Sequence, residues 1–273
     1  MIPVVRFGRS GLRTSKLALG LSRIHYLSSA RERQNLLARA AALGIRHFDA
    51  ARNYGDGLAE DALGRFLSGR RSGFIVATKF GLPANRLIEA VPLAAQPLRA
   101  VRSIARRVGL GSATRPNLTA TGLRTSVEHS LRALRLDYID ILFLHEPSLV
   151  RLAEAEVLLA EVNRQKTNGT IRFVGLAGAW MQTVEIVKSL PAFADIVQVP
   201  ENDWSDAELV PDLTFGAMRR GPQSVFEGAL ESSLVLNRLK AALLRRENGS
   251  VIVSTTRIDH LELLASAASG LVS

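Results

Sequence analysis

Short apolar runs alternate with amphipathic helical stretches about eight times along this chain, and few folds accept that rhythm. The extended runs are Ser15–Gly20, Ile45–Asp49, Phe74–Lys79, Tyr138–His145, Ile171–Leu176, Asp195–Val199, Leu213–Phe215 and Ser250–Ser254. Helical periodicity lies between them at Ala30–Leu43, Leu58–Leu67, Thr119–Arg135, Leu149–Asn168, Met181–Leu190 and Val225–Arg246, and again at Asp259–Ala268. Strand–helix repeats call for a parallel sheet, and eight of them call for an α/β fold of the closed (β/α)8 TIM barrel type. FIVATK (Phe74–Lys79) is apolar on both faces, as expected for a strand covered on both sides. An open doubly wound sheet would announce itself by G-x-G-x-x-G after the first strand. The residues found there are GLSRIHY.

Three features modify the plain barrel. Val4–Gly8 and Thr14–Gly20, joined through Gly11, read as an N-terminal β-hairpin running into the first barrel strand. Only Asp206–Val210 separates the sixth and seventh runs, so one outer helix is expected to be shortened. Phe80–Pro116 carries Pro83, Pro92, Pro97 and Pro116 and is too long for an ordinary barrel loop. It follows the third strand, and an active-site lid is expected over 80–118, within a single domain spanning 1–273.

Composition narrows the function. A chain of 273 residues buries enough apolar surface to need no staples. It contains no cysteine, which removes disulfides, thiolate metal sites and cysteine nucleophiles and fits a reducing compartment. MIPVVRFGRSG is not built like a secretory leader, and no long uncharged apolar window suits a membrane span, so a cytoplasmic protein is expected. The net charge of +10 comes mostly from arginines scattered among acids, with few aromatics between them. That pattern reads as solvated helix faces, and no nucleic-acid partner is expected. His25, His47, His129 and His260 do not form a metal-binding set.

Active sites of such barrels lie at the C-terminal ends of the strands. Those ends are Gly20, Asp49, Lys79, His145, Leu176–Ala177, Gln198, Phe215 and Ser254, with Tyr54 in the turn after the second strand. An ordinary structural role would account for any one of these polar residues. An acid, a tyrosine, a lysine and a histidine converging on one mouth make a proton-transfer site. A tyrosine is a weak acid near neutrality. A neighbouring lysine lowers its pKa, and an aspartate keeps that lysine charged and placed. A neutral histidine donates to a carbonyl oxygen as negative charge builds on it. Together they suit protonation of an alkoxide.

The chain resembles the aldo-keto reductases. The resemblance is carried by RFGRSGLRTSKLALG, GIRHFDAARNYGDGLAEDALG, VATKFG, LRALRLDYIDILFLHEP, RFVGLAG, IVQVPEN and SVIVSTTRIDHLE. It implies a tetrad of Asp49, Tyr54, Lys79 and His145, with Tyr54 as general acid, the Lys79–Asp49 pair tuning it and His145 orienting the carbonyl. It implies NADPH, with NADH possible, bound across the mouth without a Rossmann domain. It implies a small-molecule carbonyl or alcohol as substrate. Cofactor contacts carried over are Gly20, Ser22, Arg23, Asp49, Gln198, Phe215, Ser254, Thr255, Thr256 and Arg257, the last favouring the 2′-phosphate.

Departures from the pattern fall on the cofactor side. The usual Ser-Asn pair after strand five is Ala177–Gly178, and an adenine-contacting Glu-Asn is Leu263–Leu264. The long C-terminal loop of many relatives is not expected. These departures motivate one alternative, a catalytically weak barrel acting as a binding or regulatory subunit. His25 and Tyr26 are candidates for the substrate wall, as are Trp180 and Trp204.

Overall fold

The computed structural model describes residues 1–8, 10–82, 117–205, 209–218 and 233–270. Within them lies the expected barrel. The hairpin is β1 (Val4–Arg6) and β2 (Arg13–Ser15), paired antiparallel. The barrel strands are β3 (Leu17–Gly20), β4 (His47–Asp49), β5 (Ile75–Phe80), β6 (Ile139–His145), β7 (Ile171–Ala177), β8 (Ile196–Pro200), β9 (Leu213–Phe215) and β10 (Ser250–Val253). They pair in chain order, and β10 closes the ring on β3. The helices are α1 (Ala30–Ala42), α2 (Leu58–Leu67), α3 (Ala120–Leu134), α4 (Ala155–Thr167), α5 (Trp180–Ser189), α6 (Ser233–Leu244) and α7 (Ile258–Ser269).

Local sequence chemistry sets the helix ends. Ser29 caps α1 in a capping box with Glu32. Thr119 caps α3 by accepting from the Gly122 amide at 3.1 Å. One expectation is corrected here. Leu149–Asn168 is not one helix: Leu149–Leu152 forms a 3₁₀ turn, and α4 starts at Ala155. The periodicity runs through both pieces because each buries a leucine, Leu152 and Leu158. Between β8 and β9, the described residues 201–205 and 209–212 form turns and irregular chain, in line with the shortened outer element. The expected lid and the residues of the Val225–Arg246 helix before 233 lie outside the described residues. At the edge of the lid segment, the Asn117 amide donates to the Gly81 carbonyl at 2.8 Å.

Strand alternation sorts the core into two shells. On β5, Ile75 and Ala77 join the barrel-interior cluster with Ala18, Ile141, Phe143, Ile196, Leu213 and Ile252. Val76 and Phe80 face the helices. Phe7 and Leu12 of the hairpin belong to the interior cluster, so the hairpin plugs the end where the strands begin. Asp212 ties it there, accepting from Gly8 N at 3.2 Å and Val197 N at 2.9 Å. Gly64 lets α2 and α3 meet, since a Cβ there would lie 2.6 Å from the Ala133 carbonyl oxygen.

His47 is fully buried above this plug, 6.1 Å from the Phe7 ring, and neither ring nitrogen has a hydrogen-bond partner among the described residues. Burial, helped by the Lys79 charge, pushes its pKa down to about 3. A base depressed in the folded state stabilises fully above its unfolded value of about 6.5 and loses that contribution as pH falls. His47→Leu should therefore gain stability on wild type by about 2 kcal/mol between pH 8 and pH 5, at about 1.4 kcal/mol per unit below 6.5. Urea unfolding at the two pH values measures it, and an unchanged difference would refute it.

Candidate active site

Parallel pairing puts all eight strand ends on one face, and the register brings the polar ends level. Gly20 pairs with Asp49, Asp49 with Ala77, Lys79 with Phe143, His145 with Ala177, and Ala177 with Gln198. Lys79 is 2% exposed and donates to Asp49 Oδ1 at 2.7 Å, Oδ2 at 2.6 Å and the Ala50 carbonyl at 3.0 Å. Its ammonium lies 4.9 Å from the centre of the Tyr54 ring. Tyr54 meets His145 edge to face, centroids 6.1 Å apart at 85°. All four residues expected to act together are therefore neighbours.

The turn carrying Tyr54 is tightly wound. Tyr54 N donates to the Ala51 carbonyl at 3.0 Å and Gly57 N to that of Arg52 at 2.9 Å. Gly55, Asp56 and Gly57 all have positive φ, which glycine adopts without strain. Glu60 on α2 anchors the turn from behind. It is fully buried, accepts from Thr78 Oγ1 at 2.6 Å, and lies 3.7 Å from Arg52 Nη1. Thr78 faces outward on the strand whose next residue, Lys79, faces in. Sequence reasoning passed over Glu60. The available signal was an acid beside Ala59, Ala62 and Leu63 on a buried helical face.

Electrostatics set the protonation states. Burial works against the Lys79 charge, but Asp49 and Tyr54 together outweigh it and hold the ammonium above its ordinary value. Burial likewise pushes the Asp49 carboxyl up, with Lys79 and Gln198 opposing. Tyr54 corrects the expectation of a lowered phenol. Lys79 does pull it down, yet burial is larger and the net shift is upward. The phenol is thus a protonated donor across the neutral range. Burial and Lys79 push His145 down to about 3, so its imidazole is neutral.

The remaining expected residues ring the same mouth. A Cβ on Gly20 would lie 2.6 Å from Ser254 Oγ, and Ser22 Oγ donates to that oxygen at 3.5 Å. Gln198 is 3% exposed, and its side chain draws the Asp49 carboxyl down. Its Oε1 is buried with no hydrogen-bond partner among the described residues. A buried acceptor left open at the mouth fits a bound group that brings an N–H, as a nicotinamide carboxamide does. Phe215 is half-buried on β9, with an aromatic face for a ring. Ser254, Thr255 and Thr256 follow β10, and Arg257 N donates to Thr255 Oγ1 at 3.1 Å. Arg257 is exposed at the start of α7 and pairs with Asp259.

Both tryptophans expected as wall residues are buried. Trp204 is buried under the Arg245 guanidinium, 3.6 Å from its ring centre, and Trp180 is buried at the start of α5. Arg23 lies over the exposed Tyr26 ring at 5.5 Å, beside His25. Among the described residues, no helix is long and apolar enough to cross a membrane, and no acid–histidine group could hold a metal ion.

A family model described as the Aldo/keto reductase family matches residues 16–211. The chain is 28% identical over 222 residues to the L-galactose dehydrogenase of Arabidopsis thaliana, covering 76% of this chain and 60% of that protein. It is 33% identical over 146 residues to a D-threo-aldose 1-dehydrogenase of a Pseudomonas species, covering 52% and 42%. The chain therefore spans less than two thirds of the length of these curated relatives. Its fold is similar to an aldo-keto reductase structure from Pseudomonas aeruginosa, at TM-score 0.74 and 22% identity, covering 99% of this chain and 95% of that one. It is also similar to an aldo-keto reductase from Klebsiella pneumoniae in complex with NADPH, at TM-score 0.70 and 15% identity, covering 98% and 90%.

Proposed function

Because the chain belongs to the aldo/keto reductase family of NAD(P)H-dependent oxidoreductases, we propose that it reduces an aldehyde or ketone to an alcohol with NADPH, or runs the reverse oxidation. The observation that carries this reading is the buried Lys79–Asp49 pair beneath Tyr54, with neutral His145 against the same ring. Bound NADPH supplies the hydride. Gln198 and Phe215 would hold its nicotinamide end, and Ser254 to Arg257 its phosphate end.

The protein's own residues handle the proton. His145, as a neutral donor, orients the carbonyl oxygen and stabilises charge building there. Tyr54 gives its hydroxyl proton to the nascent alkoxide, and the Lys79 ammonium stabilises the phenolate left behind. Asp49 keeps Lys79 charged and fixed. In the oxidation direction the same phenolate takes the proton from the alcohol.

Two of the relatives are named as sugar dehydrogenases, so aldoses belong in the substrate panel beside simple aldehydes and ketones. Titrating NADPH into the protein should quench tryptophan fluorescence at micromolar concentration, and one of these substrate classes should then consume its reduced-nicotinamide absorbance. Failure to bind at micromolar NADPH would replace this reading with the binding-subunit alternative.

A further inference from the structure

A second acid stands at the mouth that the proton-transfer set does not use. Glu146 follows His145 directly and adopts a left-handed backbone, φ 52°, where non-glycine residues are uncommon. Two hydrogen bonds hold it there. Its N–H donates to the Ala177 carbonyl at 2.8 Å, and its carbonyl accepts from Arg151 Nη1 at 2.8 Å. A strained residue fixed from both sides at a site mouth is a reason to ask what its side chain does.

The side chain turns back over the end of β7. Glu146 Oε2 lies 3.7 Å from where a Cβ on Gly178 would stand, and its Cα 3.4 Å away. With Pro147 Cδ at 3.1 Å, the carboxylate lines the corner that a side chain at position 178 would enter. The Gly178 amide donates to the Gln198 carbonyl at 3.2 Å, and Gln198 is register partner to Ala177. The Glu146 carboxylate therefore stands over the strand end next to Gln198. Glu146 also acts on the reacting group, since its charge raises the Tyr54 phenol after burial, Lys79 and Asp49 have acted. A carboxylate at this corner selects a ligand group bearing N–H donors, and its negative charge favours a positive ring.

We propose that the Glu146 carboxylate accepts from the carboxamide NH2 of the bound nicotinamide, and that its charge makes this chain hold the oxidised cofactor more tightly than an uncharged corner would. The inference rests on the cofactor reading given above. It makes Glu146 a determinant of redox-state preference, and a tighter hold on the oxidised form makes bound NADPH the stronger hydride donor, favouring carbonyl reduction on the enzyme.

The test is cofactor binding, measured by fluorescence titration of the full chain with NADP+ and with NADPH at low salt. Glu146→Gln keeps an acceptor oxygen and removes the charge. It should weaken NADP+ by ~3- to 10-fold and leave NADPH within about twofold. Glu146→Ala should weaken both, NADP+ more. Equal constants for wild type and both variants would overturn the proposal. So would unchanged cofactor constants with a raised substrate KM in Glu146→Gln, which would turn the carboxylate toward the substrate. If wild type binds neither cofactor, the cofactor reading itself fails and this inference falls with it.

Discussion

Tyr54→Phe should lower kcat by about a thousandfold, within the range expected of a positioned general acid, while the dissociation constant for NADPH stays at the wild-type value. The substitution removes one oxygen. The phenyl ring still packs edge to face on His145 and still lies under the Lys79 ammonium. Lys79 keeps both Asp49 oxygens and the Ala50 carbonyl, so the buried pair survives. The residues expected to hold the cofactor, from Gln198 to Arg257, are not touched. Single-turnover hydride transfer with saturating NADPH is the decisive measurement, and a near-normal rate would end the assignment of Tyr54. The wild-type pH profile should agree. With the phenol raised and His145 down at about 3, the reduction rate should show no break where free histidine titrates. It should decline only on the alkaline side, above the ordinary tyrosine value.

Lys79→Met should cost both activity and about 3–5 kcal/mol of stability, the loss typical when one member of a buried ion pair is removed. In a protein of this size that is a fall in Tm of about 5–10 °C. Asp49 is almost wholly buried, and Lys79 holds both of its carboxylate oxygens. Without the ammonium, burial raises the carboxyl unopposed except by Gln198. A carboxyl raised in the folded state is tolerated below its unfolded value of about 3.9, and its cost grows as pH rises past it. The deficit of Lys79→Met should therefore be smallest in acid and largest at neutral pH. Asp49→Asn combined with Lys79→Met should recover most of the stability and none of the turnover, because no uncompensated charge remains. Thermal unfolding of the single and double variants at two pH values measures this. Equal stability of the two would mean that the pair is not the coupled unit described here.

Much of the candidate site was legible in the sequence because parallel strands give direction. The last inward residue of each run must open on one face, so Asp49, Lys79 and His145 could be read off the ends of Ile45–Asp49, Phe74–Lys79 and Tyr138–His145. The three-residue β9 was legible only by counting strands, since Leu213–Phe215 carries little periodicity of its own. Net charge misled least where it was read as helix surface. Arg39 pairs with Glu262, Arg65 and Arg135 with Asp61, and Arg124 and Arg164 with Glu161. The Arg39 and Asp61 pairs are exposed and contribute little to stability, whereas Glu161 is buried beneath its two arginines.

Other features were not legible because they depend on groups far apart in the chain. Glu60 reads as a surface acid until Thr78 and Arg52 close around it. Arg246 reads as a helix-end cation, yet it is buried and donates to Thr214 Oγ1 and the Ser250 carbonyl, both at 2.8 Å. The direction of the Tyr54 shift needed the depth of the phenol, a quantity no spacing contains.

By itself, the sequence determined the barrel, through the alternation of two periodicities, and the identity of the polar residues at its mouth, through strand direction. Only the tertiary structure decided which acceptors lack partners, how Glu146 folds back over Gly178, and which protonation states the mouth maintains. The reason is physical. Periodicity is a property of neighbours along the chain, whereas desolvation and hydrogen-bond satisfaction are set by whatever the closing sheet brings alongside.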